Sequence, residues 1–149
     1  MQRRSILWTM FSSIGAASVL AVTARPAHAA AADKAKVAYH LSEQGHVAFV
    51  LANIQNHFDG MGGPDNVKIV LVIHGPALKE FHAAQARAEI VAQVAQLAKA
   101  GLKMNACINT MKAQGIRLKD LLPGFGVAEK GGVVMLAELQ GQGYAYLRP

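Results

Sequence analysis

A single cysteine is the residue of this sequence best suited to covalent chemistry. Cys107 is the only cysteine in 149 residues, and it lies in the segment GLKMNACINTM (101–111), between Asn105 and Asn109. A cysteine without an internal partner is inert, bonded to another molecule, or reactive through its thiolate. The inert case, a buried thiol that packs as a small apolar residue, is the most common. The position of Cys107 in the fold therefore decides what it can do.

Two other residues have side chains that suit sulfur chemistry. His74 ends an apolar run and precedes Gly75 and Pro76; it can hold a proton or orient a sulfur-bearing substrate beside the cysteine. The alternative is a structural histidine that bonds within the Gly-Pro turn. Lys130 offers a positive charge to an anionic sulfur compound. Its alternative is an ordinary surface ion pair, which contributes little.

The elements that would position these residues alternate along the chain. Nearly continuous apolar runs such as VKIVLVI (67–73) are typical of strands covered on both faces of a parallel sheet, and apolar residues at a 3.6-residue period predict helices between them. Strands are predicted over 36–41, 67–73, 102–108, 127–129 and 144–148, and helices over 45–58, 86–100, 110–114 and 131–143. This order predicts an α/β fold: three layers, α/β/α, with a mainly parallel five-stranded sheet.

Ligands of parallel sheets bind beyond the carboxyl ends of the strands. Four polar clusters follow predicted strands, at 42–46, 74–76, 107–109 and 129–130. We therefore expect them to share one edge, which places Cys107 on the functional rim. The helix predicted from Thr110, capped by Asn109 or Thr110 itself, would lower the pKa of the thiol. The predicted site has Cys107 and His74 as catalytic residues and Asn105, Asn109, Gly75 and Lys130 as ligand-binding residues.

Residues 1–29 have the pattern of a secretory signal peptide. Two arginines precede an apolar run that is short for a membrane span, and small residues end in Ala27-His28-Ala29. The alternative is a membrane anchor, which Ser12, Ser13 and Gly15 make less apolar than usual. The pair Arg3-Arg4 resembles a twin-arginine motif, although Gln2 departs from it. We expect cleavage near Ala29, no stable membrane insertion afterwards, and a periplasmic protein.

The remaining chain, 30–149, has the size of a single domain. It would keep 12 basic and 9 acidic residues, a formal charge of +3, without a basic cluster interleaved with aromatics. Nucleic-acid binding is therefore not expected. The usual motifs of dinucleotide, nucleotide, serine-hydrolase, zinc-protease and thioredoxin-type proteins are missing, so no cofactor is expected. A copper site built from His74, Cys107 and Met104 or Met111 lacks any ligand spacing, and no metal is assigned.

The order of these segments resembles the DsrE/DsrF-like proteins over about residues 34–149. The likeness is carried by the strand that ends in His74-Gly75-Pro76, by the segment Cys107-x-Asn109-Thr110-Met111, and by the C-terminal Gly-Gly helix with its following strand. The resemblance implies a three-layer fold, assembly into homotrimers or hexamers, and a cysteine after the middle strand that carries sulfur as a persulfide. Cys107 stands at the matching position. The relay proteins of this family act in the cytoplasm, whereas this chain carries a predicted export signal.

The sequence thus predicts a periplasmic, sulfurtransferase-like sulfur carrier that loads Cys107 from a small sulfur compound or a donor protein and passes the sulfur to an acceptor protein. Two alternatives stay open. One is a non-catalytic oligomeric module that binds a small ligand in the same strand-end pocket. The other, less favoured, is a metal-handling protein built around histidine and methionine.

Overall fold

The computed structural model describes residues 34–149, and the predicted signal segment, 1–29, lies outside them. Five strands and four α-helices alternate along this part of the chain. They are β1 Ala35–Leu41, α1 Val47–Gly60, β2 Val67–Ile73, α2 Ala88–Lys99, β3 Lys103–Cys107, α3 Ile108–Gln114, β4 Phe125–Ala128, α4 Gly132–Gly141 and β5 Ala145–Leu147. Short 3-10 helices lie at Gln44–His46, Gly75–Phe81 and Leu118–Asp120. Within 34–149, no helix has the length and apolar character that crossing a membrane requires.

The strands form one sheet in the order β4-β3-β2-β1-β5, and every neighbouring pair is parallel. The first three crossovers each step one strand in the same direction, so right-handed connections put their helices on one face. The crossover from β4 to β5 runs back across the whole sheet and therefore carries α4 on the opposite face. The predicted three-layer α/β/α fold is confirmed, and the sheet is entirely parallel.

The hydrophobic core has two unequal parts, one on each face of the sheet. The larger packs the sheet against α1, α2 and the 3-10 helix Gly75–Phe81, and its fully buried members include Phe58, Phe81, Ile54 and Leu71. The smaller packs Val70 and Val72 beneath α4. Side chains alternate between the two faces of a strand. His74, two residues after Val72, therefore lies on the α4 face, just beyond the end of β2.

The sequence placed most elements within two residues of their observed bounds, and two differences matter. The 3-10 helix Gly75–Phe81 was not predicted; its buried Ala77, Leu78 and Phe81 anchor the connection after β2. In α2, the 3.6-residue apolar period over 86–100 includes Val91 in the expected buried stripe, but Val91 is 39% exposed and the buried residues are Ile90, Val94 and Leu97.

Replacing Phe81 by alanine should be strongly destabilising. Its side chain is fully buried, and its ring centroid lies 5.2 Å from that of Phe125. We expect Phe81→Ala to lower the free energy of unfolding by about 3–5 kcal/mol, the range for a buried aromatic removed from a core. Phe49→Ala is the matched control, since Phe49 is 57% exposed, and it should change stability by less than about 0.5 kcal/mol. Equal effects of the two in urea unfolding would contradict this core assignment.

Candidate functional site

Cys107 joins β3 directly to α3. It is the last residue of the strand, has extended backbone angles, and is the N-cap of the helix that begins at Ile108. The predicted start at Thr110 was wrong by two residues, so Asn109 and Thr110 are second and third in the helix and do not cap it. Their backbone N–H groups belong to the first turn, where no intrahelical carbonyl is available to them. The thiol therefore lies nearer the helix end than the sequence predicted.

A second helix begins on the other side of the thiol. Gly131, with φ of 102°, is the N-cap of α4, and Gly132 is its first residue. A Cβ placed on Gly132 would lie 3.3 Å from the Cβ of Cys107, 3.4 Å from Cγ1 of Val72 and 3.6 Å from the Cβ of His74. The absence of a side chain at Gly132 lets α4 begin directly over the ends of β2 and β3.

These surroundings set the protonation of Cys107. Its side chain is 6% exposed, and burial by itself raises the pKa of a thiol. That effect is outweighed by donors that face the sulfur: the backbone N–H groups of Thr110, Gly132 and Asn109, and the hydroxyl of Thr110. The net result is a Cys107 pKa below its ordinary value. The sulfur makes no strict capping hydrogen bond, so the stabilisation comes from several donors converging on one atom.

Thr110 connects the thiol to the end of β2. Its Oγ1 accepts a hydrogen bond of 3.0 Å from the backbone N–H of Gly75, which leaves the hydroxyl proton free to point at sulfur. Gln114 donates to the carbonyl of Gly75 at 2.9 Å. Gly75 has a φ of 61°, and a Cβ there would lie 3.3 Å from the carbonyl oxygen of Ser42. Gly75, which was predicted to bind a ligand, therefore contacts α3 and fixes the position of the Thr110 hydroxyl.

His74 lies beside Cys107 on the α4 face of the sheet. The register pairs Ile73 with Ala106, so the next residues, His74 and Cys107, are neighbours at adjacent strand ends. Nε2 of His74 is hydrogen-bonded to Nε2 of His40, and the two ring centroids lie 4.6 Å apart. Nδ1 of His40 is 2.7 Å from the hydroxyl of Tyr146 on β5. A hydrogen-bonded chain thus runs from β5 across β1 to the neighbour of the thiol.

The surroundings of the histidine pair disfavour its charged form. Burial is the main cause that lowers the pKa of His40 and of His74. The positive charge of Arg148 lowers both further, and that of His74 also lowers His40, while Glu43 opposes these effects. Arg148 bonds the Glu43 carboxylate and, at 3.2 Å, the hydroxyl of Ser42.

The other predicted site residues differ in their exposure and in what they contact. Asn109 is exposed, with Nδ2 3.0 Å from the position of a Gly131 Cβ, so it covers the start of α4. Asn105 is half-buried in β3, two residues before the thiol on the same face, and its Oδ1 lies against Gly126 of β4. Lys130 is exposed and donates to Glu138 at 2.8 Å.

The methionines considered with copper face away from the thiol. Met104 and Met111 are buried in the larger core, on the α1 and α2 side of the sheet. Among residues 34–149, no three His, Cys, Asp or Glu side chains are grouped so as to hold a metal ion. The donors around Cys107 suit an anion, because they are N–H and O–H groups.

The sequence did not identify His40, Tyr146 or Arg148 as parts of the site. His40 sits inside a strand pattern, and the last strand was assigned no chemistry. One signal was available: a polar residue two positions after an inward-facing one in an apolar strand lies on the same face. The helical period over 45–58 puts His57 opposite the apolar stripe and predicts a solvated side chain, but His57 is half-buried, with Nδ1 2.9 Å from the Tyr39 hydroxyl. The alternation of β1 puts Tyr39 on the opposite face of the sheet from His40.

Comparison with known proteins agrees with the fold. The model of the DsrE/DsrF-like family matches residues 26–149. The structure of MTH1491, a protein of unknown function from Methanobacterium thermoautotrophicum, is 26% identical, with a TM-score of 0.69; the match covers 78% of this chain and all of that one. No protein with curated annotation matches the chain significantly.

Two more distant structures share the fold. BT1422, a conserved protein of unknown function from Bacteroides thetaiotaomicron, is 15% identical over 76% of this chain and 94% of its own, with a TM-score of 0.58. The YchN protein from E. coli is 16% identical over 78% of this chain and 99% of its own, with a TM-score of 0.56. With the family model matching most of its length, the chain belongs to the DsrE/DsrF-like family.

Removing the Thr110 hydroxyl should make the thiol less acidic. Thr110→Val keeps the shape of the side chain but deletes the group that links Gly75 to the sulfur. The pKa of Cys107 should rise, and alkylation by iodoacetamide near pH 7 should slow several-fold, because only the thiolate reacts. Thr110→Ser, which keeps the hydroxyl, is the control. Equal alkylation rates in the wild-type protein and Thr110→Val would contradict the assigned role.

Proposed function

We propose that this protein is a sulfur carrier of sulfurtransferase type, in which Cys107 accepts a sulfur atom as a persulfide. The observation that carries the proposal is the convergence of the N-terminal ends of α3 and α4 on the sulfur of a lone cysteine. Membership of the DsrE/DsrF-like family supports it. Without a second cysteine in the chain, the thiol has no intramolecular partner for disulfide exchange.

The loading step conserves atoms and electrons. The Cys107 thiolate attacks the outer sulfur of an anionic donor R–S–S⁻, the S–S bond of the donor breaks, and its electron pair leaves with R–S⁻. Cys107 becomes Cys–S–S⁻, and its negative charge has moved one atom outward. The N–H groups of Thr110 and Gly132 that face the sulfur favour negative charge in this region, as helix N-termini do. His74 flanks the same position and orients the donor.

The low exposure of Cys107 favours a second candidate, a non-catalytic module that binds a small ligand at the strand ends. A thiol that is 6% exposed can serve only as one wall of such a pocket. The two candidates differ in whether a bond to sulfur forms.

The place of action and the partners belong to the same proposal. The arginine pair, the apolar run and the Ala27-His28-Ala29 sequence support export to the periplasm. A donor would be a small sulfur compound or a partner protein, and the acceptor a protein thiol. Assembly as a homotrimer or hexamer is the expectation from the family.

Exposure of the purified protein to polysulfide or thiosulfate should add one sulfur atom to Cys107. Intact-mass spectrometry followed by peptide mapping would locate it, and a thiol reductant should remove it. Cys107→Ser is the control and should stay unmodified. A wild-type thiol that remains unmodified while alkylating readily would overturn the carrier proposal, and a small ligand bound equally by Cys107→Ser would favour the binding module.

Expression of the full chain in a bacterial host should yield a periplasmic protein that begins near Ala30. N-terminal sequencing of the periplasmic fraction tests the proposed cleavage after Ala29. Replacing Arg3 and Arg4 together by lysine should block export if the twin-arginine route is used, and should leave it largely intact if the general secretory route is used. If the wild-type chain stayed uncleaved in the cytoplasm or in the membrane fraction, that result would contradict the proposed location.

A further inference from the structure

The hydrogen-bonded histidine pair is a feature that loading of Cys107 does not by itself require. His40 is 8% exposed, the one polar residue in the buried core of residues 34–149. A buried polar side chain is costly unless it is bonded, and both ring nitrogens of His40 are bonded, to Tyr146 and to His74. Within residues 34–149 the side chain of His74 is hydrogen-bonded through Nε2 only, which leaves its Nδ1 without a partner there.

We propose that the His40–His74 pair, fixed by Tyr146, delivers the proton that makes the Cys107 persulfide transferable, an inference that rests on the proposed function. A persulfide anion repels an incoming acceptor thiolate, because both carry negative charge, and the N–H groups that offset this repulsion during loading hold the anionic persulfide against release. Protonation of the outer sulfur removes that repulsion. His74 would contact the reacting sulfur, whereas His40 and Tyr146 act through His74 and are positioning residues.

The proton moves along bonds that the structure contains. In the cationic pair three ring nitrogens carry protons: Nδ1–H of His40 donates to the hydroxyl oxygen of Tyr146, Nε2–H of His40 donates to Nε2 of His74, and Nδ1 of His74 carries the third proton. His74 gives its Nδ1 proton to Cys–S–S⁻, forming Cys–S–SH, and takes the shared proton from His40 at Nε2. The pair ends neutral and still hydrogen-bonded, with the direction of the bond reversed.

Release then follows by displacement. An acceptor thiolate attacks the outer sulfur of Cys–S–SH, the S–S bond breaks, and its electron pair returns to Cys107 as the thiolate. The acceptor leaves as a protonated persulfide. Cys107 is reduced and the acceptor thiol is oxidised by the same two electrons, so no further redox agent is needed.

The surroundings of the pair disfavour an added proton. Arg148 and Glu43 act on both rings, the charge of His74 acts on His40, and Cys107 is the titratable residue at the end of the neighbouring strand. The start of α4 contributes only Gly131 and Gly132. Since the pKa of each histidine lies below its ordinary value of 6.5, the cationic pair forms as the pH falls below that value and is lost as the pH rises.

The test compares sulfur release by the wild-type protein and by His40→Gln. Each full-length protein is loaded with polysulfide, freed of excess reagent, and mixed with dithiothreitol, and the loss of one sulfur atom is followed by mass spectrometry between about pH 5.5 and 8. The ratio of the two rates at each pH cancels the titration of dithiothreitol. We expect the wild-type rate divided by the His40→Gln rate to be near one at the alkaline end and to rise to about tenfold or more at the acidic end.

Two further variants separate proton delivery from a general loss of structure. Tyr146→Phe removes only the hydroxyl bonded to His40 and should show a smaller deficit with the same pH dependence. Tyr39→Phe deletes a similar tyrosine–histidine bond, to His57 on the other face, and should release sulfur at the wild-type rate. A ratio that is flat with pH for both His40→Gln and Tyr146→Phe, with normal loading, would overturn the proton relay alone. Failure of the wild-type protein to load would overturn the proposed function and the relay with it.

Discussion

The convergence of two helix N-termini on one sulfur is the interaction on which the rest of the site depends. α3 leaves β3 without an intervening loop, so its first N–H groups face back to Cys107. α4 reaches the same sulfur from the other face, because the crossover from β4 to β5 returns across the sheet. Gly132 makes this approach feasible, since the Cβ of any other residue would lie 3.3 Å from that of Cys107. The burial of the thiol and its lowered pKa are consequences of one arrangement.

The parallel sheet keeps this arrangement in register. Neighbouring parallel strands put successive carboxyl ends at one edge, which sets His40, His74 and Cys107 side by side on the α4 face. Hydrogen bonds from the Gly75 N–H to the Thr110 hydroxyl and from the Gln114 side chain to the Gly75 carbonyl tie the end of β2 to α3. The donors around the sulfur are therefore held by backbone and packed side chains, and little reorganisation is needed when negative charge appears there.

The layered fold and the strand-end position of Cys107 could be predicted from the sequence, because apolar period and turn residues are local signals. VKIVLVI reads as a buried strand by composition alone, and β2 is observed over the same seven residues. The bond from Tyr146 to the histidine pair could not be predicted, because it depends on which strands are neighbours: β5 lies next to β1 only because of the long final crossover. The start of α3 was misplaced since Cys107 is an unusual N-cap, and Gly131-Gly132 gave no hint that α4 would meet the thiol.

The central claim is that the fold stabilises the Cys107 thiolate in spite of its burial. Its most direct test is the thiolate absorbance of the single cysteine, titrated in the folded protein and again in the same protein unfolded in guanidinium chloride. The unfolded chain supplies the reference, because it removes both burial and the helix ends. The account expects a lower pKa in the folded protein, since the converging donors outweigh burial. A folded-state pKa equal to or above that of the unfolded chain would contradict it.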